Sequence, residues 1–278
     1  MPTLGRLSVM TVGSAFWIAA VRARETERPD RLFTDPFARD LAGRRGFAVM
    51  AASERAGGGE NRFIPVRVRW FDDLTVAAVA AGVRQVVLLG AGLDTRAYRL
   101  DLPADVDWYE LDRQEVLTAK DVTLAGCAPR CRRHLVVGDV RGAWVTPLLD
   151  AGFDWGGPTL WLAEGLFFYL TEQLIVEMLR NAAQLCGAGS LLAADVIGTA
   201  GLDSPAMQPY RDWCERNDVP PPFGADDPVA LLVAGGWQLG HVTAPGASDA
   251  NYGRLSTQPD GLIPGRTHLL MGRLPARN

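Results

Sequence analysis

Histidine is scarce in this sequence: His134, His241 and His268 are the only three in 278 residues. None sits in a catalytic motif, so a mechanism built on an imidazole base has little to stand on. His134 and His268 open or lie within apolar, strand-like runs and read as structural. His241, which follows Trp237 near the last hairpin, is a remote base candidate. Cysteine is almost as thin. Cys127, Cys131, Cys186 and Cys214 are too few and too scattered to staple a chain of this length. Cys127, Cys131 and His134 have no fourth ligand at a familiar spacing, so no metal is expected. A basic excess is also missing. The net charge of −4 and the pI near 5.5 argue against nucleic acid as a partner. The one apolar stretch near the start, "VMTVGSAFWIAAV" (9–21), is too short to span a bilayer and lacks a small-residue cleavage site. It reads as a helix with one buried face. These absences imply a cytoplasmic protein with reduced thiols and no membrane contact.

The residues that are present suit one globular domain, 1–278, with 48% hydrophobic and 22% charged residues. Residues 1–82 read as a helical cap. Ser14 is placed to cap a helix running to about Glu27, "DPFARDLAG" reads as a short helix ending on its glycine, and 64–82 as a helix ending at Gly82. From 83 to 200, short apolar runs alternate with helical segments. "QVVLLG", "VDWYELD", "HLVVGD", "TLWLAEG" and "SLLAADVI" are continuous rather than alternating, as expected for strands covered on both faces. The Pro-rich stretch 201–228 reads as a lid insertion, and 229–278 completes the sheet. The pattern predicts a doubly wound α/β fold: a mostly parallel, seven-stranded sheet with an antiparallel edge.

In such a fold, ligands sit at the carboxyl ends of the strands. The first strand runs into Gly90-Ala91-Gly92, where glycine permits positive φ and close approach of a ligand. The third glycine of a dinucleotide fingerprint is replaced by Thr95, which disfavours a nicotinamide-dependent oxidoreductase. Asp112 ends the second strand twenty residues after Gly92 and suits a ribose diol, or else a helix cap. Asp139, after the third strand, suits an adenine amino group or a turn. Glu164 and Gly165, after the fourth strand, face the reacting part of the ligand. Arg67 and Arg69 are candidates to grip a carboxylate, or else form a solvated helix face. Phe167, Phe168 and Tyr169 are core or cleft wall.

"QVVLLGAGLDTRAYRL", "WYELDRQEVLTAK" and "WLAEGLFFYL", with "RLFTDPFARDLAG" and "PVRVRWFDD" upstream, resemble the leucine carboxyl methyltransferase superfamily over about residues 14–272. That resemblance implies a class I, Rossmann-like methyltransferase fold and S-adenosylmethionine as cofactor. It implies a cofactor set of Gly90, Ala91, Gly92, Asp94, Leu111, Asp112, Asp139, Val140, Glu164 and Gly165. It also favours Arg69 over Arg67 for the methionine carboxylate. Glu164 and Tyr169 become the catalytic candidates. Trp17, Arg22, Phe168, Tyr169, Trp213 and Phe223 become the acceptor-binding candidates, with Arg24 as an alternative to Arg22. The implied activity is O-methylation of a small molecule by a monomer or homodimer. A carboxylate is favoured because it is ionised at neutral pH and needs no base, whereas a phenol usually needs one. A protein that binds the cofactor without turnover is the non-enzymatic alternative.

Overall fold

The computed structural model describes residues 2–216, 220–263 and 265–275, with side chains from residue 13 onward except those of Ala206, Pro209 and Trp213. Three helices, α1 (Pro2–Glu27), α2 (Ala38–Gly57) and α3 (Phe63–Ala80), precede the sheet. The alternating part follows: β1 (Gln85–Leu89), α4 (Arg96–Arg99), β2 (Asp107–Asp112), α5 (Gln114–Thr123), β3 (Arg132–Val137), α6 (Val145–Asp150), β4 (Thr159–Ala163), α7 (Glu172–Leu185) and β5 (Leu191–Val196). A 3₁₀ turn, Phe167–Tyr169, lies between β4 and α7. Then come α8 (Thr199–Leu202), a second 3₁₀ turn (Pro205–Met207), α9 (Gln208–Arg216), α10 (Pro228–Ala234), β6 (Gln238–Thr243) and β7 (His268–Arg273).

The strands form one sheet in the order β3-β2-β1-β4-β5-β7-β6. β1 to β5 pair in parallel, and β7 runs antiparallel to both β5 and β6. The expected fold class is therefore the one observed. β1 and β4 are buried at every position, which explains why "QVVLL" and "TLWLA" carry no alternation. Strand order reverses between β1 and β4. Their carboxyl ends diverge there and open a crevice.

Two local expectations differ from the structure. Ser14 lies inside α1 rather than at its start. Gly43 does not end its helix; with φ +52° it kinks α2, which continues to Gly57. The longer α2 exists because it packs on α1. Gly46 marks the crossing: a Cβ there would lie 2.3 Å from the Phe16 carbonyl oxygen. Beneath the sheet, Lys120 is the chain's single lysine and is fully buried. Its Nζ lies 2.7 Å from Glu110 Oε1, and Arg133 holds the other Glu110 oxygen at 2.7 Å. This ties α5 and β3 to β2. No helix among the described residues is long and apolar enough to cross a membrane.

Gly46→Ala tests the α1–α2 crossing. Alanine gains up to about 1 kcal/mol in helix propensity, but overpacking against backbone costs roughly 1–3 kcal/mol. Net loss of stability in urea unfolding is expected; a gain would mean that α1 can yield.

Candidate active site

The chain leaves β1 through Gly90 (φ +68°) and Gly92 (φ +51°). Both lie in the left-handed region that favours glycine. A Cβ on Gly90 would also sit 3.0 Å from Leu166 Cδ1. The Gly92 N–H donates to Asp112 Oδ2 at 2.7 Å, and the Arg113 N–H donates to Oδ1 at 2.7 Å. Asp112 thus fixes the glycine loop against the end of β2. Burial pushes its carboxyl above the usual range, and the two N–H groups offset this only in part.

The loop floors a cavity of about 330 Å³. Gly90, Ala91, Gly92, Asp94, Asp112, Glu164, Gly165 and Tyr169 line it, with Trp17, Arg22 and Phe168 on the N-terminal and 3₁₀ sides. A smaller cavity of about 80 Å³ adjoins it, walled by Leu111, Asp139 and Val140. Gly90, Asp112, Leu166 and Tyr169 border both. Two compartments joined across Gly90 and Asp112 suit an elongated ligand such as a nucleoside with a charged tail. The glycine cradle supplies the close approach such a ligand needs. Trp17, which lines the larger cavity, has its Nε1 atom buried without a hydrogen-bond partner.

A buried ionic network backs the cavity. Arg96, 1% exposed, has three carboxylates around its guanidinium: Asp72 at 2.7 Å, Asp94 at 2.6 Å and Glu164 at 2.7 Å. Arg67 bridges Glu164 at 3.1 Å and Asp195 at 3.2 Å. Arg99 joins Asp72 at 2.7 Å, and Arg22 lies 3.0 Å from Asp35. Asp35 also accepts the Thr95 hydroxyl at 2.7 Å. The residue in the third-glycine position is therefore bonded to the N-terminal cap. Burial would raise the Asp94 pKa, but the Arg96, Lys120, Arg22 and Arg99 charges outweigh it and hold the carboxyl below its usual range. Burial raises the Tyr169 phenol, opposed by its Ser14 hydrogen bond and by Arg67.

Arg67, not Arg69, lies in the cleft. Residues two apart on an α-helix point about 200° apart, so only one of the pair can face the sheet. The Arg69 side chain is 40% exposed, paired with Asp73 at 2.7 Å and donating to the Leu32 carbonyl at 2.6 Å. Gly165 permits the Arg67 placement: a Cβ there would meet its Nη1 at 3.1 Å. Phe223 also lines neither cavity. Its N–H donates to the Phe168 carbonyl at 3.1 Å, and its ring packs on the core under the sheet. Arg24, the alternative to Arg22, pairs with Glu54 away from the cavity. The Trp213 side chain lies outside the described residues. No histidine lines the cleft among those described. His134 stacks on Tyr109 at 4.5 Å, His241 pairs with Asp249 at 2.6 Å, and His268 Nε2 accepts the Ile263 N–H at 2.9 Å.

Five members of the network carried no role in the sequence: Asp35, Asp72, Arg96, Arg99 and Asp195; Ser14 was read only as a helix cap. A charge inside an apolar strand was the available signal for Asp195, in "LLAADVI". For Arg96 it was an Arg two residues after Asp94 in the loop itself.

A family model described as leucine carboxyl methyltransferase matches residues 15–183. The chain belongs to this family. A relative from Parafrankia sp. (strain EAN1pec), named as a candidate S-adenosyl-L-methionine-dependent methyltransferase, is 43% identical over 191 residues, covering 66% of this chain. The chain spans 62% of that relative's length. Another so named, from Mycobacteroides abscessus, is 35% identical over 289 aligned positions, with 96% of this chain and 94% of the relative covered. Among solved structures, a DUF574 family protein from Streptomyces avermitilis superposes with a TM-score of 0.66 at 15% identity, covering 94% and 97% of the two chains. That similarity concerns the fold. In the motifs of this leucine carboxyl methyltransferase relative, Arg67, Asp94, Arg96 and Glu164 are the residues that the network joins.

Arg96→Met takes from Asp94 the guanidinium it pairs with and removes one of two from Asp72 and Glu164, and is expected to cost about 3–5 kcal/mol in urea unfolding. Arg69→Ala breaks a surface pair and is expected to cost roughly 1 kcal/mol or less. Equal losses would remove the distinction drawn between them.

Proposed function

We propose that the chain is a cytoplasmic methyltransferase that uses S-adenosylmethionine to esterify a carboxylate on a small aromatic or polyketide-like metabolite. The observation that carries the cofactor reading is the glycine loop bonded to Asp112, with the two cavities meeting there. The names of the two relatives support it. Asp112 would hold the ribose, since a carboxylate has lone pairs beyond the two used by backbone N–H groups. Asp139 and Val140 would frame the adenine. Arg67 would take the methionine carboxylate and Glu164 the ammonium group. When bound, S-adenosylmethionine supplies a methyl group on a positively charged sulfur, a strong leaving group.

The chain's own contribution is to hold the acceptor oxygen in line and to keep water out. Trp17, Phe168 and Tyr169 give the cleft flat walls, and Met207 adds an apolar contact from the lid. Every carboxylate lining the cleft accepts a hydrogen bond from a guanidinium or a backbone N–H. Burial keeps the Tyr169 phenol protonated. Among the described residues no histidine lines the cleft to take a proton from a phenol, whereas a carboxylate arrives ionised. Thr95 in the third-glycine position weighs against a nicotinamide enzyme.

Two measurements test this. In titration calorimetry, S-adenosylmethionine should bind the wild type and bind Asp112→Ala roughly tenfold or more weakly. In turnover assays on matched aromatic acids and phenols, acid methylation should be nearly flat above pH ~6, since the acceptor pKa is near 4. Phenol methylation rising with pH, with no activity on acids, would overturn the carboxylate assignment but leave the cofactor assignment standing.

A further inference from the structure

The buried network is not charge-balanced. Arg22, Arg67, Arg96 and Arg99 face Asp35, Asp72, Asp94, Glu164 and Asp195, four cations against five anions. The cleft wall taken alone gives the same excess: Arg22, Arg67 and Arg96 against Asp94, Asp112, Glu164 and Asp195.

Of the four wall carboxylates, Asp112 accepts two backbone N–H groups and is assigned to the ribose, Glu164 touches two guanidinium groups, Asp94 touches one, and so does Asp195. This residue ends the network on the cleft side. It touches one guanidinium, that of Arg67 at 3.2 Å, which Glu164 also holds at 3.1 Å. Its second oxygen accepts the Gly165 N–H at 2.6 Å. Asp94, the other terminal acid, sits among several cationic groups that hold its pKa down, whereas burial pushes Asp195 up against weaker compensation. Asp195 lines the cavity together with Ile197, Thr267 and Met207 of the lid.

Resting on the S-adenosylmethionine reading, we propose that Asp195 makes the cleft select the sulfonium cofactor over the neutral thioether that transfer leaves behind. The two compounds share adenosine, an ammonium and a carboxylate. They differ by a methyl group and one positive charge. An unbalanced carboxylate in a buried wall acts on that charge far more strongly than it would in water. Transfer breaks the sulfur–methyl bond with the electron pair staying on sulfur. It forms an oxygen–methyl bond from a lone pair of the acceptor carboxylate, and no proton moves. Both reacting charges vanish, the Asp195 charge loses its counterion, and S-adenosylhomocysteine is released into a site that favours its replacement by fresh cofactor.

Calorimetry on the whole chain reads this directly, with three ligands: S-adenosylmethionine, S-adenosylhomocysteine, and sinefungin, in which a carbon-borne ammonium replaces the sulfonium. The wild type should bind both cations at least about fivefold tighter than the thioether. Asp195→Asn keeps the shape and an oxygen for the Gly165 N–H. It should weaken both cations roughly tenfold and change S-adenosylhomocysteine by less than about threefold. Equal loss of all three ligands, the signature of a role limited to holding Arg67, would overturn the proposal, as would no change at all. If the variant does not fold, the wild type still decides: S-adenosylhomocysteine binding as tightly as both cations contradicts it. Failure of the wild type to bind any of the three ligands overturns the cofactor reading as well.

Discussion

Unmet hydrogen bonds on a buried guanidinium are costly, and Arg96 is almost wholly buried. Its needs are met by four groups: Asp72 and the Val68 carbonyl on α3, Asp94 in the loop before it, and Glu164 beyond β4. Satisfying it fixes the helical cap, the glycine loop and the end of β4 relative to one another. Arg67 and Arg99 extend the same requirement to Asp195 and Asp35. The cleft walls are therefore set by a polar network rather than by apolar packing alone. Removing one charge takes a partner from each group it touches.

The sheet provides the other half of the site. Strand order turns at β1 and β4, so their carboxyl ends part and leave room for a ligand. Asp112, at the end of the neighbouring strand, bonds the glycine loop and keeps that opening in shape. α1 closes it from the other side, presenting Ser14, Trp17 and Arg22 to the cavity. The N-terminal helices thus belong to the site, and the Thr95–Asp35 bond shows how tightly they engage the loop.

The sheet was legible in the sequence because both of its faces are covered: strands such as "QVVLL" and "TLWLA" are apolar throughout and stand out from their polar surroundings. The glycine loop and Asp112 were legible because backbone geometry demands them. The arginines were not. Arg67 and Arg69 lie two apart in a helix that is apolar over much of its surface, and only packing decides which turns inward. Arg96 and Asp195 pair with residues 68 and 128 positions away, and no local pattern reports such a pairing. Phe223 misled because an aromatic in a Pro-rich lid suggests a ligand contact, whereas here its backbone fastens the lid to the 3₁₀ turn. Gly43 misled because a glycine that can end a helix can also kink one that tertiary packing continues.

The most direct test of this account is Asp72→Asn. Asp72 does not line either cleft cavity, yet it holds both Arg96 and Arg99. The variant should still unfold cooperatively, and its affinity for S-adenosylmethionine by calorimetry should fall roughly tenfold. A folded Asp72→Asn protein with wild-type affinity would contradict the claim that the buried network sets the shape of the cleft.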